Sequence, residues 1–178
     1  MPSVPNYRSL TPGGFFSADP NDLAVKRSIR TNNPGALNIS AWQKTFPGYV
    51  GTTKPDAAGN VTAIYVTPEH GIAAWHYLLT DRYQYGAKGT LVLKDLAKRY
   101  AGAASDTDPA VKSYLAGWKK WSGNALNPAD TLRLADDGDM VKLARAMFGH
   151  EIGKATPLHN DQVTTALALK RSGTLPPN

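Results

Sequence analysis

The sequence changes character at one tripeptide, Thr67-Pro68-Glu69. Its hydroxyl suits an N-cap, its proline suits the first helical position, and its acid meets the positive end of a helix dipole. Ile72, Trp75, Leu79 and Tyr83 then recur at the three- and four-residue intervals of one helical face. Ahead of this point the residues favour turns and short strands. After a single helical turn between Asp22 and about Ile29, residues 30–51 are dense in Asn, Pro, Gly and aromatics. Residues 54–60 read as a polar turn, and the β-branched and aromatic run 61–66 suits a strand. Behind the tripeptide the helical stripes continue. Leu93, Leu96 and Tyr100 share a face in a helix from about Leu91, and Val111, Tyr114 and Trp118 follow the Asp108-Pro109 start. Asp137 can cap a stripe of Met140, Leu143 and Met147 that stops at Gly153, and a last helix runs from near Asn160 to before Gly173.

This order predicts an α+β, predominantly helical fold, a small β-lobe followed by about five helices. With no βαβ alternation and no internal repeat, a doubly wound nucleotide-binding sheet is disfavoured. At 178 residues the chain suits one domain, assigned to residues 23–178. The turn formers Pro2, Pro5, Pro12-Gly13-Gly14 and Pro20 make residues 1–22 an extended arm.

Composition narrows the chemistry. Hydrophobic residues at 42% and charged residues at 19% fit a globular chain. No apolar run approaches the roughly 20 residues of a spanning helix, so membrane insertion is not expected. The N-terminal residues lack a charged lead and apolar stretch, so synthesis in the cytoplasm without a signal peptide is expected. The absence of Cys removes disulfides and a thiol nucleophile. Twenty Lys and Arg against fourteen Asp and Glu give +6, which favours polyanions: nucleic acid, anionic lipid or a bacterial wall. The basic residues are spread thinly, with Lys112, Lys119 and Lys120 the nearest to a patch, and no nucleic-acid module is present. His150-Glu151-Ile152-Gly153-Lys154 begins like a zinc-protease helix but puts Lys154 where the second His ligand belongs, so no metal is expected.

Carboxylates are the remaining source of acid and base, and Glu occurs only at positions 69 and 151. At a helix C-terminal end beside Met147 and Phe148, Glu151 meets the negative dipole end and apolar neighbours. Both raise a carboxyl pKa, as a general acid needs. The bland reading is a solvated last-turn residue. Glu69, in a first turn, can equally serve to satisfy orphan N–H groups there. Trp42, Tyr49, Tyr65 and Trp75 with Asn32, Asn33 and Asn38 combine flat apolar faces with amides, the mixture that reads sugar rings. Taken singly, they also suit core and turns.

In order, Arg30-Thr31-Asn32-Asn33-Pro34-Gly35, Asn38-Ile39, Trp42, Tyr65-Val66-Thr67-Pro68-Glu69-His70-Gly71-Ile72-Ala73-Ala74, Leu78-Leu79, Thr90-Leu91, Ala146-Met147 and His150-Glu151-Ile152-Gly153 resemble a lysozyme-like family. Its members occur in phage virions and as wall-degrading domains of type VI secretion effectors. Its pattern runs R-N-N-N-P-G-N, W-x-G, F-x-S-P-E-x-G-x-R-A and H-E-N-G. Thr31, Lys44, Ala73 and Ile152 depart from that pattern, and Ala36-Leu37 intrude before Asn38. Bacterial glucosaminidases and goose-type lysozymes show a more distant similarity, with the same parts in circularly permuted order.

The resemblance implies a lysozyme-like fold and a peptidoglycan glycosidase of muramidase or lytic transglycosylase type, acting as a monomer without cofactor. Glu69 and Glu151 would be catalytic, with Glu151 the acid and Glu69 the base or orienting group, or the reverse, and Asn32, Asn33, Asn38, Trp42, Tyr65 and His70 would contact the glycan strand. Such a protein would act on the wall in the periplasm or outside the cell after delivery or lysis. Delivery machinery or an immunity protein would be its other partners. The alternative is a wall-binding or virion structural protein that keeps the fold without turnover.

Overall fold

The computed structural model describes residues 20–175, so all but the last three residues of the expected arm lie outside the described residues. The described chain is an α+β protein, about half helical, with two small open sheets. Within the stretch assigned above to one domain, the residues gather into two compact units: 20–77 with 157–175, and 78–156.

The first unit opens with a short helix, α1 (Arg27–Arg30), a loop, and a 3-10 turn at Ala41–Thr45. Strands β1 (Tyr49–Thr52) and β2 (Ala63–Tyr65) then pair antiparallel, with an irregularity between Tyr49 and Gly51. Helix α2 (Pro68–Tyr77) follows, and α6 (Asn160–Ser172) returns to pack against it. The helix start read at Thr67 is realised: its carbonyl accepts the N–H of Gly71, and its hydroxyl accepts the N–H of His70 at 3.4 Å. Every residue from Pro68 to His76 is buried, as expected of a helix enclosed on all sides.

The Asn-rich loop is fastened to β2 through side chains. Asn33 Oδ1 accepts the N–H of Leu37, while its Nδ2 donates to the carbonyls of Leu37 and Ala63, each bond at 3.0 Å. Asn32, in the left-handed region at φ 52°, donates from Nδ2 to the carbonyls of Tyr65 and Val66 at 2.9 and 3.2 Å. Backbone bonds from Tyr65 to Thr31 and from Ala63 to Leu37 complete the zipper. The loop also lies hard against α2, where a Cβ at Gly71 would fall 1.9 Å from the Asn32 carbonyl oxygen. Only glycine fits that contact.

The second unit holds β3 (Thr90–Val92), α3 (Leu93–Ala101), α4 (Pro109–Trp121), β4 (Thr131–Arg133) and α5 (Asp137–Ile152). Leu91, Leu96, Val111, Trp118, Leu132, Met140, Leu143 and Met147 are buried and form its core. Asp108 caps α4 by accepting the N–H of Ala110, and Asp136 caps α5 by accepting that of Asp139. Helices α4 and α5 meet closely, since a Cβ at Gly117 would lie 2.0 Å from His150 Nδ1.

All five expected helices form. The sheet of β3 and β4 differs from expectation, which began a helix near Leu91. There residues 90–92 pair with residues 131–133, and the helix starts only at Leu93, whose N–H donates to the carbonyl of Asp130. Strands of three residues are too short to show a period of two, and their pairing across some forty positions is a tertiary choice.

Asn33→Asp tests the zipper, because it keeps shape while turning two donors into acceptors facing buried carbonyls. It should cost about 3 kcal/mol or more in urea unfolding, whereas Asn38→Asp, at an exposed position, should stay within about 0.5 kcal/mol. Equal midpoints for the two variants would contradict the zipper.

Candidate functional site

Two arrangements carry the sequence-predicted residues, one in each unit. In the first, Glu69 sits in the opening turn of α2 with no solvent exposure. Gln162, in the first turn of α6, accepts the N–H of His159 through Oε1 and donates through Nε2 to Glu69 Oε1 at 3.3 Å. Glu69 Oε2 is buried without a hydrogen-bond partner among the described residues. Burial pushes this carboxyl above its ordinary value. Its own backbone N–H, the Gln162 amide and the nearby Thr67 hydroxyl pull the other way without offsetting it, and Asp161 adds a small upward push.

His70 stands beside it, one residue along α2, with 1% of its surface exposed. Its Nδ1 lies 2.7 Å from the Thr67 hydroxyl, and its ring fills the space where Gly48 would carry a Cβ. Tyr65, also buried, accepts a hydrogen bond at its phenol from Gln43 Nε2 at 3.3 Å, and burial raises its pKa. The first unit therefore brings Glu69, His70, Tyr65, Asn32 and Asn33 together as an enclosed polar frame, with the Asn amides committed to backbone carbonyls.

Two expected residues of this unit reach the surface. Asn38 is exposed, pairs as an isolated bridge with Thr62, and touches Asn60 Oδ1 at 3.5 Å. Trp42 is half-buried, held edge-on to Phe46 at 5.7 Å and tilted against Tyr77 at 5.2 Å. Phe46 also packs on Tyr65 and Tyr77, so the ring of Trp42 is set rather than free to swing.

Glu151 belongs to the second unit, half-buried in the last turn of α5 just before the left-handed Gly153. Its charge is felt by two tyrosines, Tyr100 of α3 and Tyr114 of α4. Burial and then Glu151 raise both phenols, Tyr114 to about 12, so they stay protonated across the neutral range. The rings meet edge to face at 5.5 Å, and Tyr114 also lies 4.8 Å from the ring of His150, whose pKa burial lowers. The result is a carboxyl at a helix end whose charge is felt by two neutral phenols. Among the described residues, no three of His, Cys, Asp and Glu gather as they would around a metal ion.

Gln162, Thr67, Tyr100 and Tyr114 are the residues that sequence reasoning did not assign to a site. Tyr100 and Tyr114 were visible only as members of apolar stripes, and Gln162 meets Glu69 across 93 positions of sequence. Compared with known proteins, the chain matches no family model, and no curated protein matches it significantly.

The raised pKa of Glu69 makes stability depend on pH in a definite direction. Between the unfolded value of about 4.3 and the higher folded value, the folded chain holds a proton that the unfolded chain has released. Glu69's contribution is thus fully present below the unfolded value and is lost as pH rises through the folded one. Glu69→Gln keeps the Gln162 bond and removes the titration. Urea unfolding should show this variant gaining on the wild type between pH 4 and pH 7; a pH-independent difference would contradict the shift.

Proposed function

We propose that the chain is a peptidoglycan glycosidase with a lysozyme-like fold, cleaving the β-1,4 bond between N-acetylmuramic acid and N-acetylglucosamine. The observation that carries this reading is the setting of Glu151, half-buried at the C-terminal end of α5, where its charge helps to keep the phenols of Tyr100 and Tyr114 protonated. A carboxyl must keep its proton until the glycosidic oxygen arrives and then give it up to the departing sugar. The C-terminal end of α5 sets the carboxyl against the negative end of the helix dipole. The tyrosine hydroxyls can donate to a sugar or to the carboxylate left after transfer. The order of motifs shared with the lysozyme-like family supports the same assignment.

The cation-like centre formed as the bond breaks needs a second stabilising group, either another carboxylate or the substrate's own acetamido oxygen. Glu69 is assigned a positioning role, because it has no exposure and its carboxyl ties the start of α2 to Gln162 of α6. Asn38 and the half-exposed face of Trp42 offer the sugar an amide and a flat apolar surface. The +6 charge draws the protein to an anionic wall, with attachment weakening as salt rises.

Digestion of purified peptidoglycan, with fragments weighed by mass spectrometry, tests the reading. Wild type should release muropeptides with reducing ends. Glu151→Gln should lose at least about a hundredfold in rate, the usual scale for a general acid. Anhydro ends would make the reaction a transglycosylation on the same acid. An intact wall with wild-type protein bound to it would overturn the enzyme and leave a wall-binding module.

A further inference from the structure

Residues between Thr80 and Lys88, together with Arg99, line a cleft of about 590 Å³ in the second unit. That volume lies within the roughly 300–1,000 Å³ of small-molecule sites. The chain reaches it through a π turn at Leu78–Arg82, a left-handed Gln84 at φ 61° and a 3-10 turn at Tyr85–Ala87. Left-handed non-glycine residues cost on the order of 1 kcal/mol, and they gather, as π turns do, where backbone is bent to serve a site.

These bends place Tyr83 and Tyr85 edge to face, with ring centroids 6.3 Å apart. The guanidinium of Arg99 lies 4.4 Å from the centre of the Tyr83 ring and 5.9 Å from that of Tyr85. Its Nη1 donates to the Tyr83 carbonyl at 2.8 Å, which fixes the fork in place. Lys88 also lines the cleft. Neither Arg99 nor Lys88 forms an ion pair among the described residues. The cleft's acid, Asp81, accepts a hydrogen bond from the Thr80 hydroxyl. With Nη2 also reaching the Arg82 carbonyl at 3.5 Å, the guanidinium is held by two carbonyls and two rings; none of these cancels its charge, and its remaining N–H groups can meet a carboxylate. The tyrosines add flat faces and hydroxyls of the kind that receive a sugar ring.

The cleft and the proposed acid belong to the same unit. Arg99 immediately precedes Tyr100 on α3, Tyr100 meets Tyr114, and the two phenols respond to Tyr83 as well as to Glu151.

We propose that this cleft is a subsite for a carboxylate carried on a glycan strand, with Arg99 and Lys88 meeting the carboxylate and Tyr83 and Tyr85 the sugar ring. The identity of the glycan rests on the glycosidase reading. Its carboxylate can come from the lactyl ether of a peptide-free muramic residue or from a stem peptide.

Titration of the full-length Glu151→Gln variant with three tetrasaccharides tests this: neutral chitotetraose, a peptide-free muramic-acid tetrasaccharide, and one bearing stem peptides. At least one acidic sugar should bind about tenfold more tightly than chitotetraose, the scale of one charge-assisted bond. The peptide-free arm identifies the lactyl source, and a gain confined to the third identifies the peptide. Adding Lys88→Gln or Arg99→Gln should remove the preference, bringing the acidic sugars to the affinity of chitotetraose. Lys88→Gln secures the test if loss of Arg99 disturbs the fold. Equal affinities for all three sugars, or a preference that survives both changes, would overturn the subsite even if the wild type digests wall. A preference lost on substitution, in a protein that digests nothing, would uphold the subsite and overturn the glycosidase.

Discussion

In the first unit, β2 pairs with β1 along one side, and its other side faces the loop of residues 31–38, whose backbone alone offers too few partners. The side chains of Asn32 and Asn33 supply them. An amide carries two donors and an acceptor, so each can copy what a neighbouring strand would offer, and four backbone carbonyl bonds are made this way. Once the loop is fixed, the Asn32 carbonyl lies against Gly71, a contact of loop and α2 that leaves no room for a side chain. The start of α2 in turn carries Thr67, Glu69 and His70 into the enclosed frame. The polar loop thus acts as the template on which the rest of the unit is arranged.

The two glutamates then meet opposite conditions. Glu69 is fully buried near a helix N-terminus, which favours its charged form, yet desolvation wins and its carboxyl is driven toward the neutral state. Glu151 keeps partial exposure and meets the unfavourable end of its helix dipole. A group that must exchange a proton with substrate needs access as well as a tuned affinity, and Glu151 has the access. A group that locks two helices together needs burial and a partner, and Glu69 has Gln162. The same contrast separates Asn33, whose amide is spent on the backbone, from exposed Asn38, and enclosed Tyr65 from half-exposed Trp42.

Much of this was legible before any coordinates. The helix starts at Thr67 and Asp108 and the stops at Gly153 and Gly173 rest on local chemistry that a short window contains, while the cap expected of Asp137 is made one residue earlier, by Asp136. The hairpin was readable from its polar turn and β-branched strand. The short β3–β4 sheet was not, because its pairing is decided by residues far apart. Nor was the duty of Asn32 and Asn33: an Asn in a loop reads the same whether its amide faces a sugar or a buried carbonyl. Burial of Glu69 was hidden in the same way, since Gln162 gives no local sign of its partner.

Because the chain contains two glutamates, carbon-13 labelling of glutamate side chains gives two carboxyl signals. Following both against pH, with and without a soluble wall oligosaccharide, separates their roles in one experiment. The account predicts that the Glu69 signal titrates above the ordinary value of about 4.3 and is indifferent to the sugar, while the Glu151 signal shifts when sugar binds. A Glu151 signal unmoved by saccharide, or a Glu69 signal that titrates like free glutamate and follows the sugar, would contradict it.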